Sequence, residues 1–169
     1  MVKTPDQVKN IVEEWLQVIG KPYENITSTN QHASFGFKFG DTMFYSLKNR
    51  PDRVTIETII GFAPEHKEAT AKLEDKEFQE LLVNLTEPVV MARLGVNIGL
   101  EQNKPKQINH IAIQGYVDTN SMDRNDFFKE WDAVASFRQL IIKKIQIQFG
   151  VKGNIDNTST SSSDNTIYS

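Results

Sequence analysis

The sequence predicts an α+β domain in which helices cover an antiparallel sheet, and two kinds of pattern support this class. Long stretches repeat apolar residues at helical spacing, whereas shorter stretches alternate apolar and polar residues as strands do. The strands within each group are separated by short turn-like segments, which favours antiparallel pairing of neighbours. The predicted element order is α-β-β-β-α-β-β-α.

Length and composition limit the possible domain organisation of the chain. A chain of 169 residues fits one domain, which we assign to residues 1–150. Asn, Thr, Ser and Asp dominate the rest, so residues 151–169 are predicted to be a disordered polar tail. There is neither a signal-peptide core nor an apolar run of about 18 residues, so we expect a cytoplasmic protein that does not enter a membrane.

Charge and cysteine content exclude several classes of function. The formal net charge is -3 and no basic cluster is present, which argues against a nucleic-acid partner. The chain has no cysteine, and this rules out disulfides, thiolate catalysis and cysteine-bound zinc.

The first helix and a three-stranded meander occupy the first third of the chain. Thr4 and Gln7 form a predicted capping box around Pro5, and Gly20 ends the helix. A meander follows over residues 31–62, with predicted turns at residues 40–41 and 49–52. Its alternating core residues include three phenylalanines and the apolar side of the third strand: Phe35, Phe37, Phe39, Val54, Ile56, Ile60 and Phe62.

A second main helix and a second strand pair follow. Asp75 is the predicted cap of this helix, Pro88 is expected to kink or break it near residues 84–87, and Gly95 ends it. In the strand pair, matching the apolar faces pairs Ile98 with an odd-numbered residue, Ile111 or Ile113. The connection around residues 103–106 is predicted to be a hairpin loop longer than two residues.

The last helix, predicted from Asp123 to Phe149, has more apolar residues than one packing face requires. Its main face repeats large apolar residues at spacings of three and four. Leu140 and Ile147 lie nearly opposite that face on a helical wheel, and Phe137 lies at their margin. Scattered surface residues, a helix buried on both sides, or a self-association or partner interface each explain them, and the sequence leaves the three readings open.

The element order over about Thr4 to Gly150 resembles the type III secretion chaperone-like fold that is shared by the YbjN-like proteins. The stretch from Val54 through His66, followed by Phe78 to Leu82, is similar to an archaeal family of uncharacterised proteins on that fold. The resemblance implies a non-enzymatic, often dimeric, module that binds peptides or proteins. It carries over no site residues.

No motif for catalysis, a metal or a cofactor is recognisable, so we expect a protein that is not an enzyme and has no cofactor. His32, His66 and His110 lack ligand partners at metal-binding spacings. Asp123 and Asp126 are explained by helix capping, since negative charge complements a helix N-terminus. There is no Gly-x-Ser-x-Gly nucleophile motif.

These observations favour a homodimeric binding module that holds a protein or peptide segment, with Phe137, Leu140 and Ile147 as its candidate interface. The segment would lie in a groove between sheet and helix, or would add as a strand to an exposed edge. The alternative is a small-ligand protein or an enzyme whose unrecognised pocket uses His110, Glu57 or His66.

Overall fold

The architecture is a six-stranded antiparallel sheet packed against helices, as described by a computed structural model for residues 3–26 and 32–150. The described helices are α1 Pro5–Val18, α2 Pro64–Ala71, α3 Asp75–Met91 and α4 Arg124–Phe149. The described strands are β1 Glu24–Asn25, β2 Ala33–Phe39, β3 Thr42–Leu47, β4 Arg50–Gly61, β5 Gly95–Glu101 and β6 Lys104–Asp118. The predicted α+β class and order are confirmed, with β1 and α2 as additional short elements. The tail predicted for residues 151–169 lies outside the described residues.

The strand order is β1-β2-β3-β4-β6-β5, so the second strand group extends the meander into one sheet. β4 pairs with β6 from Arg53 opposite Asp118 to Gly61 opposite His110. On the other side of β6, Ile98 of β5 pairs with Ile111. This confirms the predicted register, in which the apolar residues of neighbouring strands share a face.

The two faces of the sheet differ in chemistry. One face, here called the helix face, carries buried apolar residues that form a single core with side chains of α1, α3 and α4. Its large, fully buried strand residues include Phe35, Phe37, Phe44, Ile56, Ile60, Ile111 and Ile113. The other face, here called the polar face, carries Tyr45, Glu57 and Gln114, which share hydrogen bonds.

α4 lies close against the helix face at Gly115 of β6. A Cβ atom at residue 115 would lie 2.5 Å from Oε1 of Glu130 and 2.9 Å from Cγ2 of Val134. The same Glu130 oxygen accepts a hydrogen bond of 3.0 Å from the backbone N–H of Tyr116. The absence of a side chain at residue 115 therefore lets α4 lie against the β6 backbone.

An aromatic cluster anchors the N-terminal half of α4. Phe127 and Trp131 flank Phe44 of β3, with ring-centroid distances of 5.3 Å and 4.8 Å. Trp15 of α1 contacts Phe127 at 5.3 Å, and Phe39 of β2 contacts Trp131 at 5.2 Å. Stacked, tilted and edge-to-face arrangements of this kind add to the gain from burial alone. The cluster therefore joins α1, the first hairpin and α4.

α3 is continuous through Pro88, so of the kink or break predicted near residues 84–87 the break is excluded. Proline has no N–H, which leaves the carbonyl of Asn84 without its helical donor. Lys144 of α4 supplies a replacement: its Nζ donates to the Asn84 carbonyl at 3.0 Å and to the Asn84 Oδ1 at 2.5 Å. A tertiary contact therefore stabilises α3 at the point where its own sequence weakens it.

Several predicted boundaries also need correction. Glu74, not Asp75, is the N-cap of α3, and its backbone N–H donates a hydrogen bond of 3.0 Å to the Glu77 side chain. α3 ends at Met91 rather than at Gly95, and the chain turns at Arg93, where φ is 63°. The predicted long hairpin loop is instead a two-residue turn, since Glu101 pairs with Lys104 and Asn103 adopts a φ of 62°. Asparagine tolerates this left-handed conformation better than most residues.

The turn predicted at residues 49–52 is also shorter than expected, because β4 already begins at Arg50 and Leu47 pairs with Arg50. By contrast, the capping box of Thr4 and Gln7 at the start of α1 is confirmed. The cap of α4 is confirmed as well, since Asp123 accepts a hydrogen bond of 2.8 Å from the backbone N–H of Asp126.

We predict that Gly115→Ala lowers the free energy of unfolding by about 1–3 kcal/mol, because the added methyl group would press against Glu130 and Val134. Gly61→Ala is the matched control, since a Cβ atom there would meet no atom within 4 Å. Urea unfolding followed by circular dichroism measures both variants. Equal stability of the two variants would contradict the close packing of α4.

Candidate functional site

β5 forms one edge of the sheet and offers a template for another strand. Within the described ranges its outer side has no strand partner. Its residues carry no charge before Glu101, and it contains no proline. Natural edge strands are commonly blocked by charges, prolines or bulges; in β5 the only irregularity is a register shift against β6 between Gly99 and Glu101. Its backbone groups from Gly95 to Ile98 therefore form a regular, uncharged edge.

α3 carries exposed apolar residues. α3 packs on β5, and its Val83 and Val90 are 57% and 58% exposed. The two valines are seven residues apart, so they share one side of the helix. On a helical wheel that side is about 100–120° away from Asn84, the residue that contacts α4. Val83 and Val90 therefore lie on a solvent-exposed side of α3, away from both α4 and the buried residues of the helix.

The polar face contains a buried carboxylate near its centre. Glu57 of β4 is only 6% exposed. Its Oε2 accepts a hydrogen bond of 3.0 Å from the Tyr45 hydroxyl and another from the Gln114 side-chain amide. The Tyr116 hydroxyl donates in turn to Oε1 of Gln114 at 2.6 Å. Burial raises the pKa of the Glu57 carboxyl above its ordinary value, and the bonds from Gln114 and Tyr45 oppose this shift only in part.

Two glycines of β5 lie beneath side chains of β6. A Cβ atom at Gly99 would overlap the ring of His110, at 2.1 Å from Cε1, and one at Gly95 would lie 3.1 Å from the Tyr116 hydroxyl. His110 and Tyr116 therefore extend across β5 toward the sheet edge. Burial, and secondarily the positive charge of Lys67, lowers the pKa of His110. The imidazole at this edge is therefore held in its neutral form to lower pH than an ordinary histidine.

The residues of the alternative pocket hypothesis do not converge. Glu57 and His110 share the polar face, but Glu57 pairs with Gln114 while His110 pairs with Gly61. That separation of four residues along β6 corresponds to about 13 Å. His66 lies on the other side of the sheet, buried between Phe62 and Phe149.

The predicted interface residues of α4 differ in exposure. Phe137 is partly buried against the core, whereas Leu140 is 37% exposed and Ile147 is 75% exposed. Sequence reasoning did not identify the other surface features, namely the β5 edge, Val83, Val90 and the partners of Glu57. The one available signal was Glu57 itself, a charged residue between β-branched neighbours of a central strand.

Two kinds of feature are absent from the described residues. No group of three or more His, Cys, Asp or Glu side chains is placed to hold a metal ion. Likewise, no helix within residues 3–26 and 32–150 has the length and apolar character needed to cross a membrane.

We predict that Glu57→Gln flattens the pH dependence of stability. The folded-state pKa of Glu57 is raised, so its contribution to stability is fully present below the unfolded value of about 4.3 and is lost as pH rises through the folded-state pKa. The variant should therefore melt higher than wild type at pH 8, and the difference should shrink toward pH 4. Thermal melts across this pH range measure the difference in melting temperature between the variant and wild type. A difference that does not change with pH would contradict the raised pKa of Glu57.

Comparisons with known proteins were consistent with the fold and gave no activity. The chain matches, over residues 8–145, the model of a family described as "Uncharacterized conserved protein (DUF2299)". It is also similar to the crystal structure of an uncharacterised protein from Methanothermobacter thermautotrophicus. The TM-score is 0.72 at 13% sequence identity, and the match covers 85% of this chain and 99% of the other. In a comparison with curated proteins, none matches this chain.

At this identity the archaeal structure shows a shared fold alone. An uncharacterised family and an archaeal neighbour agree with part of the expected resemblance, but neither comparison supports a type III secretion chaperone identity. The family model spans most of the chain, from α1 to the last buried turns of α4. This chain belongs to the DUF2299 family of uncharacterised conserved proteins.

Proposed function

We propose that the chain is a non-enzymatic protein-binding module that holds an extended segment of another polypeptide along β5. The observation that carries the proposal is the edge of β5, which has no strand partner among the described residues and carries the half-buried Val96 and Ile98. Strand addition gains affinity from backbone hydrogen bonds and specificity from alternate side chains. The β5 edge offers both backbone hydrogen-bonding groups and side chains at alternate positions.

The chemistry around the edge describes the segment that would fit. Side chains on one side of an added strand would meet the half-buried Val96 and Ile98, so apolar residues suit alternate positions. α3 has four carboxylates and one lysine, and this charge favours a segment that also carries basic residues. The partner is therefore an extended, basic segment with apolar residues at every second position.

The alternative of a small ligand or an enzyme has weaker geometric support. Glu57 and His110 lie too far apart to act on one small group, and His66 is buried within the core on the other side of the sheet. Glu57 already accepts hydrogen bonds from two side chains on its own face.

A selection from a random peptide library displayed on phage tests the proposal. Selected peptides should alternate apolar and polar residues with a period of two, and they should protect the backbone amides of β5 from hydrogen exchange. Failure to select any binder would overturn strand addition. So would peptides with a helical period, or protection elsewhere in the chain.

An edge variant with a matched control sharpens this test. Asn97→Lys with Leu100→Lys places two charges on exposed positions of β5, and we expect it to weaken binding of a selected peptide by about tenfold or more. Val18→Glu, at an exposed position on α1, should leave binding unchanged. Fluorescence anisotropy with labelled peptide measures the affinity of both variants. Equal affinities for the two variants would contradict the location of the binding site at β5.

A further inference from the structure

α3 and α4 lie side by side and run in opposite directions. Near its start α3 contacts Lys106 at the beginning of β6, since the Lys106 Nζ lies 3.1 Å from Oδ1 of Asp75. α3 then ends just before Gly95, which pairs with Gln114 farther along β6. α4 runs the other way, from the contact of Glu130 with Tyr116 to that of Phe149 with His66. The bonds from Lys144 to Asn84 join the two helices.

The outer side of this helix pair is apolar at several positions. Leu140, Lys144 and Ile147 share one side of α4 because they are spaced by four and three residues. Lys144 reaches Asn84, so Leu140 and Ile147 border the groove between the helices. Met91 of α3, seven residues after Asn84, lies on the same side of its helix and is 78% exposed. Met91, Leu140 and Ile147 are here called the α3–α4 surface.

The two helices have opposite charges. α3 has the acidic residues Asp75, Glu77, Glu80 and Glu87 against the single basic residue Lys76. From Ala133 to its end, α4 contains Arg138, Lys143 and Lys144 and no acidic residue. Arg138 is paired with Asp41 at 2.9 Å, which leaves the two lysines beside the α3–α4 surface.

We propose that the α3–α4 surface binds a second copy of this chain. A two-fold axis along the groove would place the acidic α3 of each copy on the basic half of α4 of the other. Lys144 is level with Asn84, so Lys143 would then lie level with the segment between Glu80 and Glu87 of the second copy. One rotation therefore matches opposite charges twice and covers Leu140, Ile147 and Met91.

The area of the α3–α4 surface determines how strong a dimer is expected. A helix of the length of α3 is about 25 Å long, and two neighbouring helices are about 20 Å wide, which gives about 500 Å² of projected area per copy. A standard stable complex buries about 800 Å² per partner. The dimer is therefore expected to form at micromolar concentration and to weaken as salt screens its charges. It leaves the outer edge of β5 free, so it goes beyond strand addition and does not depend on it.

Sedimentation velocity of the full chain, from low micromolar to submillimolar concentration, tests the proposal. Wild type should pass from monomer to dimer, and Leu140→Glu with Ile147→Glu should raise the dissociation constant by about tenfold or more. Val18→Glu, which adds the same charge at an exposed site on α1, should dimerise as wild type does. A monomeric wild type, or a double variant that dimerises unchanged, overturns the proposal.

A charge exchange provides a second test that does not depend on the apolar residues. Lys143→Glu alone, and Glu80→Lys with Glu87→Lys, should each weaken the dimer by about tenfold. The variant that combines all three substitutions should recover most of the affinity, because opposite charges again face each other. Lys143 is chosen because Lys144 already binds Asn84. Absence of recovery in the folded combined variant overturns the two-fold arrangement, whereas peptide binding at β5 reports separately on strand addition.

Discussion

The close approach of α4 to the sheet at Gly115 is the constraint on which the other contacts depend. It brings α4 against the backbone of β6, where the Glu130 carboxylate accepts the Tyr116 N–H. From that position, Phe127 and Trp131 reach the aromatic residues of α1 and the first hairpin. Farther along the same helix, Lys144 reaches α3. One residue without a side chain thus helps to position helices on both sides of α4.

The sequence was sufficient for features that depend on local patterns. Alternation and helical spacing predicted the elements and the register of Ile98, and capping residues predicted the start of two helices. The sequence was insufficient where a structural feature depends on a residue that is far away in the chain. Pro88 indicated a kink or break in α3, and only the fold shows that Lys144 satisfies the carbonyl that this proline leaves without a donor.

The candidate site illustrates the same limit. An unpaired edge is a property of strand order, and the order of β5 and β6 relative to β4 cannot be deduced from the spacing of apolar residues alone. The hydrogen bonds of Glu57 join residues that are far apart in the chain. By contrast, Leu140 and Ile147 departed from the helical pattern of their own segment, so the sequence identified them, although it did not distinguish scattered surface residues from an interface.

The glycines of β5 have a consequence for what any molecule at the edge would recognise. Strand residues usually present their own side chains to a neighbour, but at Gly95 and Gly99 the nearest side chains are those of Tyr116 and His110, which belong to the next strand inward. At these two positions the outermost strand thus contributes only backbone, while the second strand contributes an aromatic hydroxyl and an imidazole. Sequence variation in β6 would therefore alter the selectivity of the edge while the hydrogen-bonding geometry of β5 stayed constant.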